Sequence, residues 1–529
     1  MSLLYYTFSN MPADGTHVQV DTRTSFLGNL LKETYTVAEL LAEYTEPCGR
    51  FKVPLSAVDL RELAQAIQVA HAPVFKNMVA LPLSNLPPNW QVLLNYLFQQ
   101  EILTRPLFSN VECPNDFPKT YRLSLRSVFS ETKTDGINPR KFASGFGCSF
   151  DAQEAQSKAV GELLERYFMT LYKRKYFKYD SYNELVRQGK KVLDITDFNC
   201  FLPWQKESFP QLVWDKNSLF YWTRGKELLS GKDAYMPAQC IFWGYKFDTV
   251  LSEPILFHPS TSGNAGNFSF KEALISSVYE LIERDGFLMY WLNTLAPPVL
   301  DVNAIADVKV QKLLSEIKEH GLTVLFLDTT TDMEVPSCVC VVIDERGREP
   351  VISVGASAGF NIPKNILSSA HEALVINSET AQSETFVLPV NYKPFMNTPL
   401  ISRNERLSTW KGKNMLEHLS FFITGKKLRF EETRFAQYAR TFATVEEEYS
   451  HLLRIFKDKG KGYEVYAHHV EHPVLQTLGY HVVGAVVPQL IPLYLSEHWA
   501  TLDSKRLREV PKKLGFAQTA RNPWPHPFP

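Results

Sequence analysis

Twice in 529 residues the chain sets a glycine-rich turn before a helical pattern that carries Glu-x-x-Glu-Arg, and this duplication constrains the fold more than any other feature. In the later copy, residues 263–291, Ser269 stands three residues before Glu272 as a capping-box start. Leu274, Ile275, Val278, Leu281 and Ile282 follow at helical spacing and share an apolar face. At about 100° per residue, Glu272, Glu280 and Glu283 fall in a second, narrow sector of the same helix, with Arg284 beside it. A single acidic stripe is ordinarily a solvated helix face. The earlier copy, residues 145–172, repeats the design with Glu162, Glu165 and Arg166, 118 residues before its counterpart (280 minus 162). Both helices run on past the arginine into apolar and aromatic residues, which a solvated face does not explain. Carboxylates at i and i+3 repel by a few tenths of a kcal/mol when exposed and by more when buried. Mg²⁺ removes that cost, because it takes hard oxygen ligands and shares them with nucleotide phosphates. The reading is a metal–phosphate site between paired helices. A fainter third copy begins at Gly355 and leads to the helix around Glu372.

Bulk composition excludes some classes. Lys plus Arg number 56 against 57 for Asp plus Glu, so overall charge favours neither nucleic acid nor an anionic membrane. The first residues lack a basic stretch followed by an apolar core, and no secretory signal is expected. The most apolar late stretch, residues 480–495, is short and interrupted by Pro488 and Pro492, so no membrane span is expected. The seven cysteines are scattered without a C-x-x-C pair; they read as buried thiols of a reducing cytoplasm and not as a zinc cluster.

Along the chain, residues 1–112 hold three helical patterns (35–44, 57–70 and 89–101), read either as a small winged-helix-like docking module or as a helical extension. From Tyr121, strand and helix signals alternate, giving a mixed α/β (α+β) domain over 113–529. Strands are expected at 120–129, 212–215, 219–224, 322–330, 337–345, 463–470 and, as a proline-broken pair, 480–495. The third helix is expected at about 364–380, a loop at 386–412, and one or two amphipathic helices across 432–457. The chain closes Asn522-Pro523-Trp524-Pro525-His526-Pro527-Phe528-Pro529, a P-x-P-x-P run held near polyproline II. Such a tail is either a frayed end or ligand for a partner's groove, or a stiff strand that reaches into the domain's own cleft; the interleaved His and aromatics favour the cleft.

With both Glu-x-x-Glu-Arg helices and the terminal PHPFP in view, the chain resembles the YcaO family over about residues 121–529. More narrowly it looks like the azoline-forming cyclodehydratases of ribosomal peptide natural products. The resemblance implies a domain of mixed sheets packed by helices that holds ATP and Mg²⁺. It implies Glu162, Glu165, Glu272, Glu280 and Glu283 as Mg²⁺-nucleotide carboxylates, with Arg284 and Arg166 at the phosphates. Asn264 and Asn267 match an Asn-bearing nucleotide loop, and Lys158 stands where some members carry a serine near the nucleotide. Pro525, Pro527 and Pro529 match a tail that lies close to the active site and orders it, the final carboxylate assisting proton transfer.

The implied reaction adds a Cys, Ser or Thr side chain of a precursor peptide to the preceding amide carbonyl. The oxyanion takes the γ-phosphoryl group of ATP, and phosphate leaves to give a thiazoline or oxazoline. Implied partners are the precursor peptide, a leader-binding protein resembling ubiquitin-activating enzymes, and an FMN-dependent azoline dehydrogenase, in a homodimer or a hetero-oligomeric synthetase. The rivals are amidine or thioamide formation at the same site, a non-catalytic scaffold, and an ATP-independent metal hydrolase.

Overall fold

The structure is a computed structural model that describes residues 78–80, 86–99, 108–111, 121–128, 142–256, 259–381, 403–517 and 519–528. The helical patterns expected at 35–44 and 57–70, and with them the body of the winged-helix reading, lie outside the described residues. The chain divides into two compact units, one of residues 1–113 and 120–167 and one of 114–119 and 168–529.

In the first unit, strands β1 (Met78–Ala80), β2 (Phe108–Val111), β3 (Tyr121–Val128) and β4 (Phe142–Ser149) form one antiparallel sheet in that order. The division expected at 112/113 falls between β2 and β3, which are neighbours in this sheet. Helices α1 (Pro88–Gln99) and α2 (Ala152–Phe168) accompany it. The glycine stretch at 145–147 was expected as a turn and is instead part of strand β4. Its glycines exist for closeness: a Cβ on Gly145 or Gly147 would lie 1.9 Å from the carbonyl oxygen of Ala159 or Ala155 in α2.

The second unit holds two sheets. One runs β12 (Ile352–Ala358), β11 (Ser337–Ile343), β10 (Thr323–Asp328), β9 (Val299–Leu300), β13 (Lys427–Leu428). The other runs β5 (Lys178–Ser181), β6 (Leu219–Glu227), β14 (Tyr466–His469), β15 (His481–Val486), β8 (Asn264–Asn267), with β7 (Lys232–Pro237) also on β6. Helix α3 (Phe270–Leu292) links them, its first turn capped by the Ser269 hydroxyl as the sequence suggests. The N-terminal half buries Ala273, Leu274, Val278 and Ile282 against Ala265, Val483 and Ala485. From Phe287 onward every residue is buried, among Val339, Val341 and Val354 of the other sheet. Fully burying each such side chain contributes about 1.5–3 kcal/mol, so α3 is held from both sides and its polar residues have fixed addresses.

Helix α4 (Val308–Glu319) precedes β10, and α5 (Ile362–Ala381) is the expected third helix, lying on β12. A helix α6 (Arg403–Thr409) stands inside the stretch expected to be a loop. The amphipathic region resolves into a short turn of helix at Arg434–Gln437 and α7 (Val445–Lys459); α8 (Lys505–Lys513) follows β15. Two expected strands do not form. Residues 212–215 leave a 3₁₀ turn as irregular chain, and after β15 the prolines at 488 and 492, which lack an N–H for a ladder, leave 487–495 outside any sheet. The mixed α/β architecture itself is the one the sequence indicates.

Candidate active site

One local device occurs three times. A backbone N–H at or just after a glycine is bonded by a glutamate from the following helix: Phe146 N of β4 donates to Glu162 Oε2 (2.6 Å), Gly263 N, in the turn before β8, to Glu280 Oε2 (3.0 Å) and Ala356 N of β12 to Glu372 Oε2 (2.7 Å). The first and third copies correspond residue by residue in their contacts. A Cβ on Gly145 would strike Ala159 O and Leu163 N, and one on Gly355 would strike Ser369 O and Ala373 N, each pair flanking its glutamate. Glycine lets the helix touch the strand, and contact puts the carboxylate on the strand's free N–H. Glu372 was not singled out as a site residue because its helix lacks the second glutamate and the arginine. The repeated offset from Gly145 to Gly355 and from Glu162 to Glu372 was the signal in the sequence.

In the second unit this device gathers a charged cluster. Arg284 bonds Glu280 (Nη2–Oε1, 3.1 Å) and pairs with Glu283 (Nη1–Oε1, 2.9 Å). Glu372 joins electrostatically: burial first, then Glu283, pushes its carboxyl up to about 8 despite Arg284. Burial also raises Glu280, with Glu283 adding to the effect and Arg284 opposing it. Burial works against the Arg284 cation, but Glu283, Glu280 and Glu372 together hold it firmly protonated. Three carboxylates therefore share one guanidinium, and the Arg284 Nε is buried with no hydrogen-bond partner among the described residues. Excess buried negative charge is costly unless a cation enters, and all-oxygen donors suit Mg²⁺. Among the described residues no three Asp, Glu, His or Cys side chains stand at metal-ligating spacing. Arg284 occupies the carboxylates instead, and in chemistry this set of carboxylate oxygens fits Mg²⁺.

The proline tail reaches this cluster. The Phe528 ring lies 4.2 Å from the Arg284 guanidinium carbon and 5.0 Å from the Phe287 ring. Behind it the tail is pinned through its own backbone. Trp410 Nε1 donates to Pro525 O (3.1 Å) and Trp291 Nε1 to Trp524 O (3.3 Å). His526, fully buried, bonds Tyr494 O through Nε2 (2.9 Å). Pro525 and Pro527 are buried; Pro529 and its carboxylate lie outside the described residues.

The other expected residues have these places. In the first unit Arg166 is ion-paired with Glu162 and lies over the Phe146 ring at 5.5 Å, as Arg284 lies against Phe528. Glu165 is half-buried on the same helix, and Lys158 is engaged by Glu154 (2.8 Å) and by Cys148 O (3.2 Å). In the second unit Asn264 is buried with its Nδ2 unpartnered among the described residues. Asn267 accepts from Ser269 N (3.0 Å) and so shapes the entry into α3. Glu272 is not drawn into the cluster: it lies eight residues, about 12 Å along the helix axis, before Glu280.

A family model described as YcaO cyclodehydratase, ATP- and Mg²⁺-binding, matches residues 146–491. An uncharacterised protein from the tfuA 3′ region of Rhizobium leguminosarum bv. trifolii is 27% identical over 125 residues, which is 23% of this chain and 29% of that protein. A heterocyclase in complex with substrate and cofactor has a similar fold, with a TM-score of 0.63 at 19% identity over 82% of this chain and 57% of that one. The YcaO protein of Methanopyrus kandleri bound with AMPPCP and Mg²⁺ gives a TM-score of 0.54 at 12% identity over 78% of this chain and 93% of that one. The chain thus spans under a third of that curated relative and just over half of the heterocyclase, and at these identities the likeness to the solved structures is one of fold.

Proposed function

The chain belongs to the YcaO family, with ATP and Mg²⁺ as its cofactors, and from that premise we propose that it is an azoline-forming peptide cyclodehydratase. The observation that carries the finer reading is the seat of the proline tail, whose Phe528 covers Arg284 of the carboxylate cluster. When bound, ATP with Mg²⁺ would supply the phosphoryl group that turns an amide oxygen into a leaving group. Glu280, Glu283 and Glu372 would hold the cation; Glu162 and Glu165 repeat the Glu-x-x-Glu pattern in the first unit and are proposed as carboxylates of that copy alone. Arg284 would meet the phosphates, and Arg166 is the corresponding group of the first copy. The tail orders Arg284 through Phe528 and closes water out of that side of the cluster. Asn264, with its free amide nitrogen, suits a polar nucleotide contact, whereas Glu272, Asn267 and Lys158 serve the local structure that holds them.

The substrate in this reading is a Cys-, Ser- or Thr-bearing precursor peptide. It is delivered by a leader-binding partner resembling ubiquitin-activating enzymes, and an FMN-dependent dehydrogenase follows. The test is incubation of the full chain, with and without such a partner, with Mg²⁺, ATP and a Cys-containing peptide, read by mass spectrometry. Loss of one water per modified residue, matched by phosphate release, is the expected result. Exchange of oxygen for sulfur would mean thioamide chemistry, and water loss that persists when the peptide's Cys is replaced by Ala would mean amidine formation by a peptide amine. Peptide cleavage without ATP would mean a hydrolase, and each of these outcomes would end the azoline reading.

A further inference from the structure

A second polar site lies away from the carboxylate cluster, on the other side of α3. Between the loop that follows α7 and helix α8 is a cavity of about 190 Å³ lined by Lys459, Lys461, Lys505, Arg506 and Lys513, with Glu509 as the lining carboxylate. The base of this cavity is built. Arg506 is 2% exposed, and it bonds Asp285 through Nε (2.8 Å) and Nη2, Asp332 through Nη2 (3.0 Å) and the Tyr463 hydroxyl through Nη1 (2.8 Å). A guanidinium has five N–H donors, so one on Nη1 remains without a partner among the described residues.

The carboxylates do not match the cations. Asp332 alone is shared by Arg506, Lys459 (3.7 Å) and Lys513 (3.5 Å). Burial would raise its carboxyl, yet those three cations hold it below the usual carboxylate range. Lys505 reaches Glu509 only at 3.9 Å, with both side chains more than half exposed, a pair that contributes little. Lys461 has no ion pair among the described residues. Five cations thus face Asp285, Asp332 and Glu509, with Asp197 also acting on Lys505, across a concave surface that focuses positive potential on whatever enters.

We infer that this cavity binds a small phosphate-class oxyanion. Its cations are ammonium groups on flexible stems around one fixed guanidinium, which suits a tetrahedral anion with several acceptor oxygens. Its volume is below the roughly 300–1,000 Å³ of pockets that enclose drug-sized ligands, so the anion is inorganic phosphate or the phosphate end of a larger molecule, with the remainder outside.

Calorimetric titration of inorganic phosphate into the full chain at constant ionic strength tests this. Saturable binding is expected, unaffected when a non-hydrolysable ATP analogue and Mg²⁺ are present. The surface double variant Lys461→Ala/Lys513→Ala should weaken it at least about tenfold, since each removes a charge-assisted contact. A response matched by chloride, or one untouched by the lysine substitutions, would overturn the assignment. Abolition by the ATP analogue would overturn it too, unless the analogue shows a second binding event that is lost in the same lysine variant, in which case the site stands and takes the phosphates of a nucleotide. Because the phosphate titration does not require ATP to bind, failure of the proposed function and failure of this site are read separately.

Discussion

Glu372 sets a pH dependence on Mg²⁺-nucleotide binding that can be worked from the structure. Its carboxyl stands at about 8 in the folded protein against an ordinary 4.5, raised by burial and by Glu283. Below 4.5 it is neutral in both the folded and unfolded chains. Between 4.5 and 8 the folded chain keeps a proton that the unfolded chain has lost, so this group's share of stability declines as pH rises through that window. A bound cation reverses the preference, because it needs the carboxylate. At pH 7 about one molecule in ten carries the ionised form, and forcing ionisation costs about 1.4 kcal/mol. Affinity for Mg²⁺ with an ATP analogue should therefore rise about fivefold from pH 7 to 8 and level off above about pH 9, with close to one proton released per binding event at pH 7. Burial raises Glu280 as well, in the same direction. The assay is calorimetry in two buffers of different ionisation enthalpy, which yields the proton count directly. Glu372→Gln should flatten the dependence and lower the affinity at pH 8. An affinity that is flat or falls with pH in the wild type would refute the reasoning, since it would mean that the cation does not draw on this cluster.

Other consequences are open to direct measurement. Glu280→Gln and Glu283→Gln should each weaken Mg²⁺-nucleotide binding by on the order of 1 kcal/mol or more, which the same titration would show; unchanged binding in both would remove α3 from the site. Phe528→Ala takes away a fully buried ring against Arg284. It should cost about 3–5 kcal/mol of packing at the tail and lower kcat more than it alters nucleotide affinity, whereas an equal loss in both would deny the tail a part in the chemistry. Gly355→Ala would put a methyl 2.3 Å from Ser369 O and 2.5 Å from Ala373 N, both backbone atoms, and chemical denaturation should show a loss of about 1–3 kcal/mol. Burial holds the His526 imidazole well below its usual 6.5, so the unfolded chain takes up a proton there that the native tail refuses. Stability should fall as pH drops below 6.5, and His526→Asn should show a shallower fall than the wild type.

What the sequence made legible, and what it hid, follows from the range of the interactions. The Ser269 cap, the apolar stripe of α3 and the two Glu-x-x-Glu-Arg pentads are local patterns, and the structure places them as the spacing implies. The glycine stretch at 145–147 reads as a turn but lies in strand β4, whereas Gly263 does sit in a turn, at φ +83°. Sequence spacing shows that Gly145, Gly263 and Gly355 precede helices, but not that the following helix doubles back so closely that any Cβ on Gly145 or Gly355 would meet its backbone. Residues 487–495 read as a strand from composition, yet Pro488 and Pro492 deny the ladder its donors, and the segment runs instead toward Tyr494, whose carbonyl receives His526. Glu372 carries no pentad and lies far along the chain from Glu280, so only folding, by setting α5 on β12, could bring its charge to Arg284. The seat of Phe528 over Arg284 has the same character, because a guanidinium left with an unpartnered Nε and an aromatic at the end of a stiff strand announce nothing to each other in sequence. The glycine–helix device explains how the cluster is built: each copy presents one carboxylate to a backbone N–H, and within the second unit the copies ending at Glu280 and Glu372 bring their charges to the one guanidinium of Arg284.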